Sequence, residues 1–196
     1  MGINLQKGQK IDLTKGSTGL QHIMVCLGWD EVRQGGSFLG LFNKPKQIDC
    51  DASAILCGAA GKYREIVYYG NLKFGDGAVV HQGDNLTGAG EGDDEQILVD
   101  LNKLNADISK IVFVVNIYDA NSKKQHFAML ENAFIRLVDM DKNNEICRFN
   151  LDDNYYGMEG LIAGEIYKKD NEWKFNAIGQ PVPNASRIDA ITAMYK

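Results

Sequence analysis

The sequence predicts an all-β sandwich. Its apolar segments are short, rich in β-branched and aromatic residues, and recur roughly every 8–15 residues between Gly, Asn and Asp turn signals. One of them, Lys110-Ile111-Val112-Phe113-Val114-Val115-Asn116-Ile117-Tyr118, is almost continuously apolar, as a strand buried on both faces or central in a sandwich would be. Near the C-terminus, Gly160–Lys168 and Glu172–Ile178 flank Lys169-Asp170-Asn171, the turn-rich connection of a hairpin. Roughly eight to ten such strands in 196 residues with 44% hydrophobic content fit one domain over residues 1–196. Its core spans about residues 3–180, and 181–196 forms a helical C-terminal extension.

The elements follow in order. His22–Leu27 is a short apolar strand stopped by Gly28, and Ala52–Cys57 follows the acidic pair of Asp49-Cys50-Asp51 and stops at Gly58. Ile66–Tyr69 ends at Gly70-Asn71. Asn132–Val138 alternates, and Asp141-Lys142-Asn143-Asn144 turns it into Glu145–Phe149. Helix is scarce. Leu101–Ile108 suits a turn or two, and Ala185–Tyr195 suits a C-terminal helix after Pro181 and Pro183, capped by Asn184 or Ser186. Gly35–Lys46 is a glycine-rich loop carrying two Phe and two Leu, read as folding its apolar residues back on the sandwich.

Composition excludes several classes. The net charge is −5, from 21 basic and 26 acidic residues, and no basic stripe suits nucleic acid. There is no apolar run of 18 residues to span a membrane. The N-terminus lacks the charged-then-apolar pattern of a signal peptide, and Gln6 breaks a myristoylation motif, so a cytoplasmic protein is expected. Cys26, Cys50, Cys57 and Cys147 form no C-x-x-C, and Cys50 and Cys57 lie too far apart on one segment to bond. Free, mostly buried thiols are expected. A zincin helix, a nucleophile elbow and a P-loop are all missing.

One segment concentrates chemistry. Between Lys73 and Lys103 there is no Lys or Arg, and within that window Asp84, Glu91, Asp93, Asp94 and Glu95 fall inside twelve residues. Asn85, Thr87 and the glycines Gly88, Gly90 and Gly92 lie between them. Carboxylates so close repel one another unless a cation sits among them. Ca²⁺ takes six to eight oxygens at roughly 2.3–2.6 Å, and glycines permit the turns that aim backbone carbonyls at an ion. The segment is read as a calcium-binding loop, and Asp49 and Asp51 stand ready to converge on it. It is not an EF-hand, since the D-x-D-x-D-G register is absent. His81, just before the loop, reads as a satisfied strand or surface histidine.

The chain resembles the TerD family of tellurium-resistance and stress proteins. The resemblance rests on Gly28-Trp29-Asp30, Asp49-Cys50-Asp51-Ala52-Ser53, Gly83-Asp84-Asn85 through Gly92-Asp93-Asp94-Glu95-Gln96, and Phe113–Tyr118. Asn132-Ala133-Phe134-Ile135-Arg136 and Trp173–Gln180 complete it in the family's order. It implies a two-sheet β-sandwich with calcium-binding loops at one end and two Ca²⁺ ions. The side-chain ligands implied are Asp49, Asp51, Asp84, Asp93, Asp94 and Glu95, followed by Asn85 and Glu91, with Asp30 as a further contributor and Gly88 through its carbonyl. Cys50 stands where many relatives have Leu, and a packing role is expected of it.

The function these readings imply is a non-enzymatic calcium-binding stress-response protein, a calcium-dependent interaction module of the tellurium-resistance type. The resemblance implies partners from the same resistance set, including the membrane protein TerC and the small TerB protein, with peripheral association at the inner membrane face. A monomer is expected. The alternative is a divalent-metal-dependent hydrolase using a two-ion acidic site, which needs an open coordination position and a general base. A secreted calcium-dependent adhesion sandwich is the third reading, and the absent signal pattern counts against it.

Overall fold

The structure, a computed structural model, describes residues 2–15, 19–31, 48–83, 92–151 and 153–196, the side chain of Glu31 excepted. Its strands are β1 (Ile3–Leu5), β2 (Lys10–Asp12), β3 (His22–Glu31), β4 (Cys50–Cys57), β5 (Tyr63–Val67), β6 (Lys73–Phe74) and β7 (Val79–His81). The rest are β8 (Glu95–Asp100), β9 (Lys110–Ile117), β10 (Leu130–Asp139), β11 (Asn144–Asn150), β12 (Gly160–Lys169) and β13 (Glu172–Val182). Two short helices, α1 (Ala120–Lys123) and α2 (Ile188–Thr192), complete the set.

The strands form two sheets, as the sequence predicts. A seven-stranded sheet runs β1-β11-β10-β3-β8-β7-β6, and a six-stranded sheet runs β2-β13-β12-β9-β4-β5. Pairing is antiparallel except for β1 against β11. The strands beyond the predicted eight to ten are short pieces at the sheet edges or next to one. β1, β2, β6 and β7 have two or three residues each, too few to show an alternating period.

Alternation along each strand decides what the sheets bury. In β4, Cys50, Ala52, Ala54 and Leu56 face the main core between the sheets, while Ile55 and Cys57 face a second apolar cluster. In β9, Ile111, Phe113, Val115 and Ile117 point inward, and Val112 and Val114 point outward. Over Ile55, Cys57, Val112 and Val114 both strands are apolar on the outer face as well, because the C-terminal segment covers it there. Val182, Ala185 and Ile191 pack there with Ile162. Residues 181–196 therefore act as the outer lid of the six-stranded sheet.

Turn chemistry holds where the sequence places it. Asp170 and Asn171 join β12 to β13 with φ of 53° and 61°, the left-handed pair that matches strand twist in a two-residue hairpin. Asp139 Oδ1 accepts from the Asp141 and Lys142 N–H groups and closes the β10–β11 turn. All four cysteines are free and buried.

Two helical expectations change. Leu101–Ile108 forms turns, because Asp100 Oδ1 takes the Asn102 and Lys103 N–H groups and diverts them from a helical ladder. The C-terminal helix covers only Ile188–Thr192, followed by a 3₁₀ turn at Ala193–Tyr195, and Arg187 occupies its N-cap without a side-chain cap. The expected caps are used elsewhere. The Asn184 N–H donates to Glu159 Oε2 at 2.6 Å, and Ser186 Oγ accepts from Asn121 Nδ2. The Gly35–Lys46 loop lies outside the described residues.

Ile191 is fully buried against the outer face of the six-stranded sheet. Ile191→Ala should cost about 2–5 kcal/mol in a urea unfolding titration. A cost near zero would mean that the C-terminal lid is not part of the cooperative fold.

Candidate functional site

The acidic motifs converge at one end of the sandwich. Asp30 lies near the end of β3, Asp49 and Asp51 at the start of β4, and Asp93, Asp94 and Glu95 at the start of β8. Asp84, Asn85, Gly88 and Glu91 lie outside the described residues. The sheets set this placement. β3 and β8 are neighbours, with Leu27 opposite Glu95, and β4 lies beside β9, with Asp51 opposite Asn116.

Glu95 links the two sheets. Its Oε2 accepts the Ala52 N–H at 2.6 Å and lies 3.3 Å from His81 Nε2, with both side chains almost fully buried. His81 Nδ1 accepts the Gly83 N–H at 3.1 Å, so the ring hydrogen sits on Nε2, aimed at the Ala52 carbonyl at 3.2 Å and at Glu95. β5 ends at Val67, opposite Ala54, so no strand continues beside Ala52. Glu95 and His81, both from the opposite sheet, take the amide and carbonyl that a neighbouring strand would otherwise pair. The sequence reading missed this link, because His81 and Ala52 are joined only through the sandwich.

Asp93 and Asp94 are consecutive and differently engaged. Arg136 grips Asp93 with Nε on Oδ1 and Nη2 on Oδ2, both at 2.8 Å, and reaches Glu145 with Nη1 at 3.2 Å. Burial opposes the charge on Asp93, but the Arg136 hydrogen bonds, with help from Cys26 and Gln96, hold its carboxyl below the ordinary range. Positive charge therefore does reach the acidic segment, from β10. The sequence signal was an Arg at an alternating position of a strand, without its partner.

Asp94 accepts the Trp29 N–H at 2.8 Å on Oδ2, and its own N–H donates to the Leu27 carbonyl. Its carboxyl is pushed up. Burial is the first cause, the Trp29 N–H opposes it, and the charges of Asp30 and Asp93 add to the rise. Gly28 permits this crossing. A Cβ there would lie 2.5 Å from the Phe134 ring and 2.6 Å from the Gly92 carbonyl oxygen. The glycine of Gly28-Trp29-Asp30 thus lets the root of the acidic loop run directly over β3.

The remaining acids ring the same end. Asp30 is exposed and accepts from Asn132 Nδ2 at 2.8 Å, and Asp49 lies 3.9 Å from Lys123 Nζ. Asp51 is buried and accepts from Asn116 Nδ2 at 3.4 Å. Cys50 sits among them, its thiol raised well above its usual value by burial first and then by Asp51, Glu95, Asp49 and Asp94. A thiol held protonated in this way is a packing group. Among the described residues, no three His, Cys, Asp or Glu side chains converge into a metal-holding group by themselves.

Fold and site together describe a two-sheet sandwich with carboxylates gathered at one end. The TerD domain model matches residues 1–195, and the chain belongs to the TerD family. It is 50% identical over 200 residues to the stress response protein SCP2 of Bacillus subtilis, with all of both chains covered. It is 38% identical to the tellurium resistance protein TerD of Serratia marcescens, over all of this chain and 97% of that one. The crystal structure of a telluride-resistance protein homologue from Streptomyces coelicolor superposes with a TM-score of 0.70 at 18% identity, covering 91% of this chain and 99% of that one.

Gly28→Ala should cost about 1–3 kcal/mol by overpacking, read as a lowered urea midpoint. Arg136→Met should cost about 1.5–3 kcal/mol near neutral pH, because it leaves the Asp93 charge without its bonds. A lowered carboxyl pKa stabilises the fold above the unfolded value and loses that contribution as pH falls through the folded one. The gap between parent and Arg136→Met should therefore shrink below about pH 4. A gap that is constant with pH would remove the ion pair from the account.

Proposed function

We propose that this chain is a cytoplasmic calcium-binding stress-response protein of the tellurium-resistance type, a calcium-dependent interaction module and not a catalyst. One observation carries the reading: the acids of three separate sequence motifs, Asp30, Asp49 with Asp51, and Asp93 to Glu95, come to the same end of the sandwich. Carboxylates brought to one end in this way suit a hard divalent cation once the acids of residues 84–91 join them. The donor chemistry fits, because these are carboxylates and Asp94 is held in a setting that disfavours its charge.

In this reading Asp84, Asn85, Glu91 and the Gly88 carbonyl join Asp30, Asp49, Asp51 and Asp94 in holding two Ca²⁺ ions. Asp93 and Glu95 commit oxygens to Arg136 and to Ala52 and His81. Their main part is to fix where the loop leaves the sandwich. A bound cation supplies the charge that lets the acids approach one another. It adds stability in proportion to the logarithm of free calcium above its dissociation constant.

His81, the histidine nearest the acids, has both ring nitrogens engaged, which favours binding over base catalysis. An end ordered by calcium presents Tyr69 and Tyr118, both exposed, to partners. Those partners are other tellurium-resistance proteins, a TerC-type membrane protein among them, met by a monomer at the membrane surface. No helix among the described residues is long and apolar enough to cross a membrane.

Calorimetric titration of chelator-stripped protein should show near two Ca²⁺ per chain and weaker Mg²⁺ binding. A carboxyl whose pKa is raised by folding destabilises the fold once it ionises. Asp94→Asn should therefore melt higher than the parent without calcium and gain less from its addition. Absence of heat and of thermal stabilisation in the parent would sink the calcium reading.

A further inference from the structure

Beyond the apolar row that α2 covers, the outer face of the six-stranded sheet continues into Asp51, Ser53 and Asn116. Alternation sets them there, since Cys50, Ala52, Val115 and Ile117 all face the main core. All three are buried, at 5%, 1% and 2% exposure. Asp51 and Asn116 are direct partners across the β4–β9 ladder, and Ser53 is two residues along on the same face. Buried polar side chains in such a position need partners.

They lack them. Asn116 Oδ1 and Ser53 Oγ have no hydrogen-bond partner among the described residues, and the Asn116 Nδ2 contact to Asp51 Oδ2 is long, at 3.4 Å. The two ends of an Asn amide are alike in shape, and a half-turn about χ2 exchanges them. That turn sets the amide oxygen where Nδ2 lies, about 3.4 Å from the carboxylate oxygen. Two oxygens bonded to one Ca²⁺ at about 2.4 Å and at right angles are also about 3.4 Å apart.

We propose that Asp51, the Asn116 amide oxygen and the Ser53 hydroxyl form a calcium subsite on the outer face of the six-stranded sheet, separate from the inward-facing Glu95. Water fills its remaining positions, as Ca²⁺ sites commonly allow. The proposal rests on the calcium reading above and assigns one of its ions to this face. Asn116 is a ligand that no acidic motif indicates.

The test compares the full chain with Asn116→Leu and Ser53→Ala by calorimetric calcium titration and by melting with calcium or with chelator. Asn116→Leu should bind one ion fewer than the parent. In chelator it should melt at or above the parent, because an orphaned buried carbonyl has been removed. With calcium it should gain less. Ser53→Ala should weaken the same step, and it decides by the same comparison if Asn116→Leu does not fold. An unchanged ion count and an unchanged thermal gain overturn this subsite while leaving the calcium reading intact. A parent that binds no calcium overturns both.

Discussion

The convergence of the two sheets depends on how the main chain of Ala52 is satisfied. β5 stops opposite Ala54, so the amide and carbonyl two residues earlier face no strand. A buried pair of this kind left open would cost several kcal/mol. Glu95 Oε2 and His81 Nε2 close it from the other sheet. This contact fixes the start of β8 against the start of β4, and those are the two places where the sequence concentrates its acids. The buried carboxylate is stabilised by the N–H it accepts and by the imidazole hydrogen beside it.

A second constraint acts on the outer face of the seven-stranded sheet. Gly28 brings the backbone of Gly92 directly over β3, and the next two residues then part company. Asp93 meets the Arg136 guanidinium, while Asp94 turns to the Trp29 amide. One carboxyl is held below the usual range and its neighbour above it. The local arrangement thus neutralises one acid within the protein and leaves the other short of positive charge. A site that is to be completed by a cation needs that division, since full internal neutralisation would leave nothing for the ion to do.

The long elements were legible because they repeat their period. β9 showed its two buried faces as a nearly continuous apolar run, β4 showed as a short segment closed by Gly58, and Asp170-Asn171 announced its hairpin. The three-residue edge strands carry no period at all, and the C-terminal helix hid its role. Ile191 reads as one apolar residue among several until its place over β4 and β9 is known. Site residues divided in the same way. Clustered acids were visible along the chain, whereas Arg136, His81 and Asn116 act only through pairings 43, 14 and 65 residues distant from Asp93, Glu95 and Asp51.

The pleat also explains the spelling of the Asp49-Cys50-Asp51 motif. A strand turns successive side chains to opposite faces. Asp51 therefore looks out toward Asn116, while Cys50 is fully buried in the core between the sheets. The middle position is thus a packing position, and a small apolar thiol serves there as a larger aliphatic residue would. The acids must sit at alternate positions because an acid in the middle would enter the core. Glu95 points into that core from the other sheet and is tolerated only because Ala52 and His81 meet it. One face of β4 is closed by protein groups alone. On the other, beside the buried Asp51 carboxylate, the Asn116 amide oxygen and the Ser53 hydroxyl have no partner among the described residues.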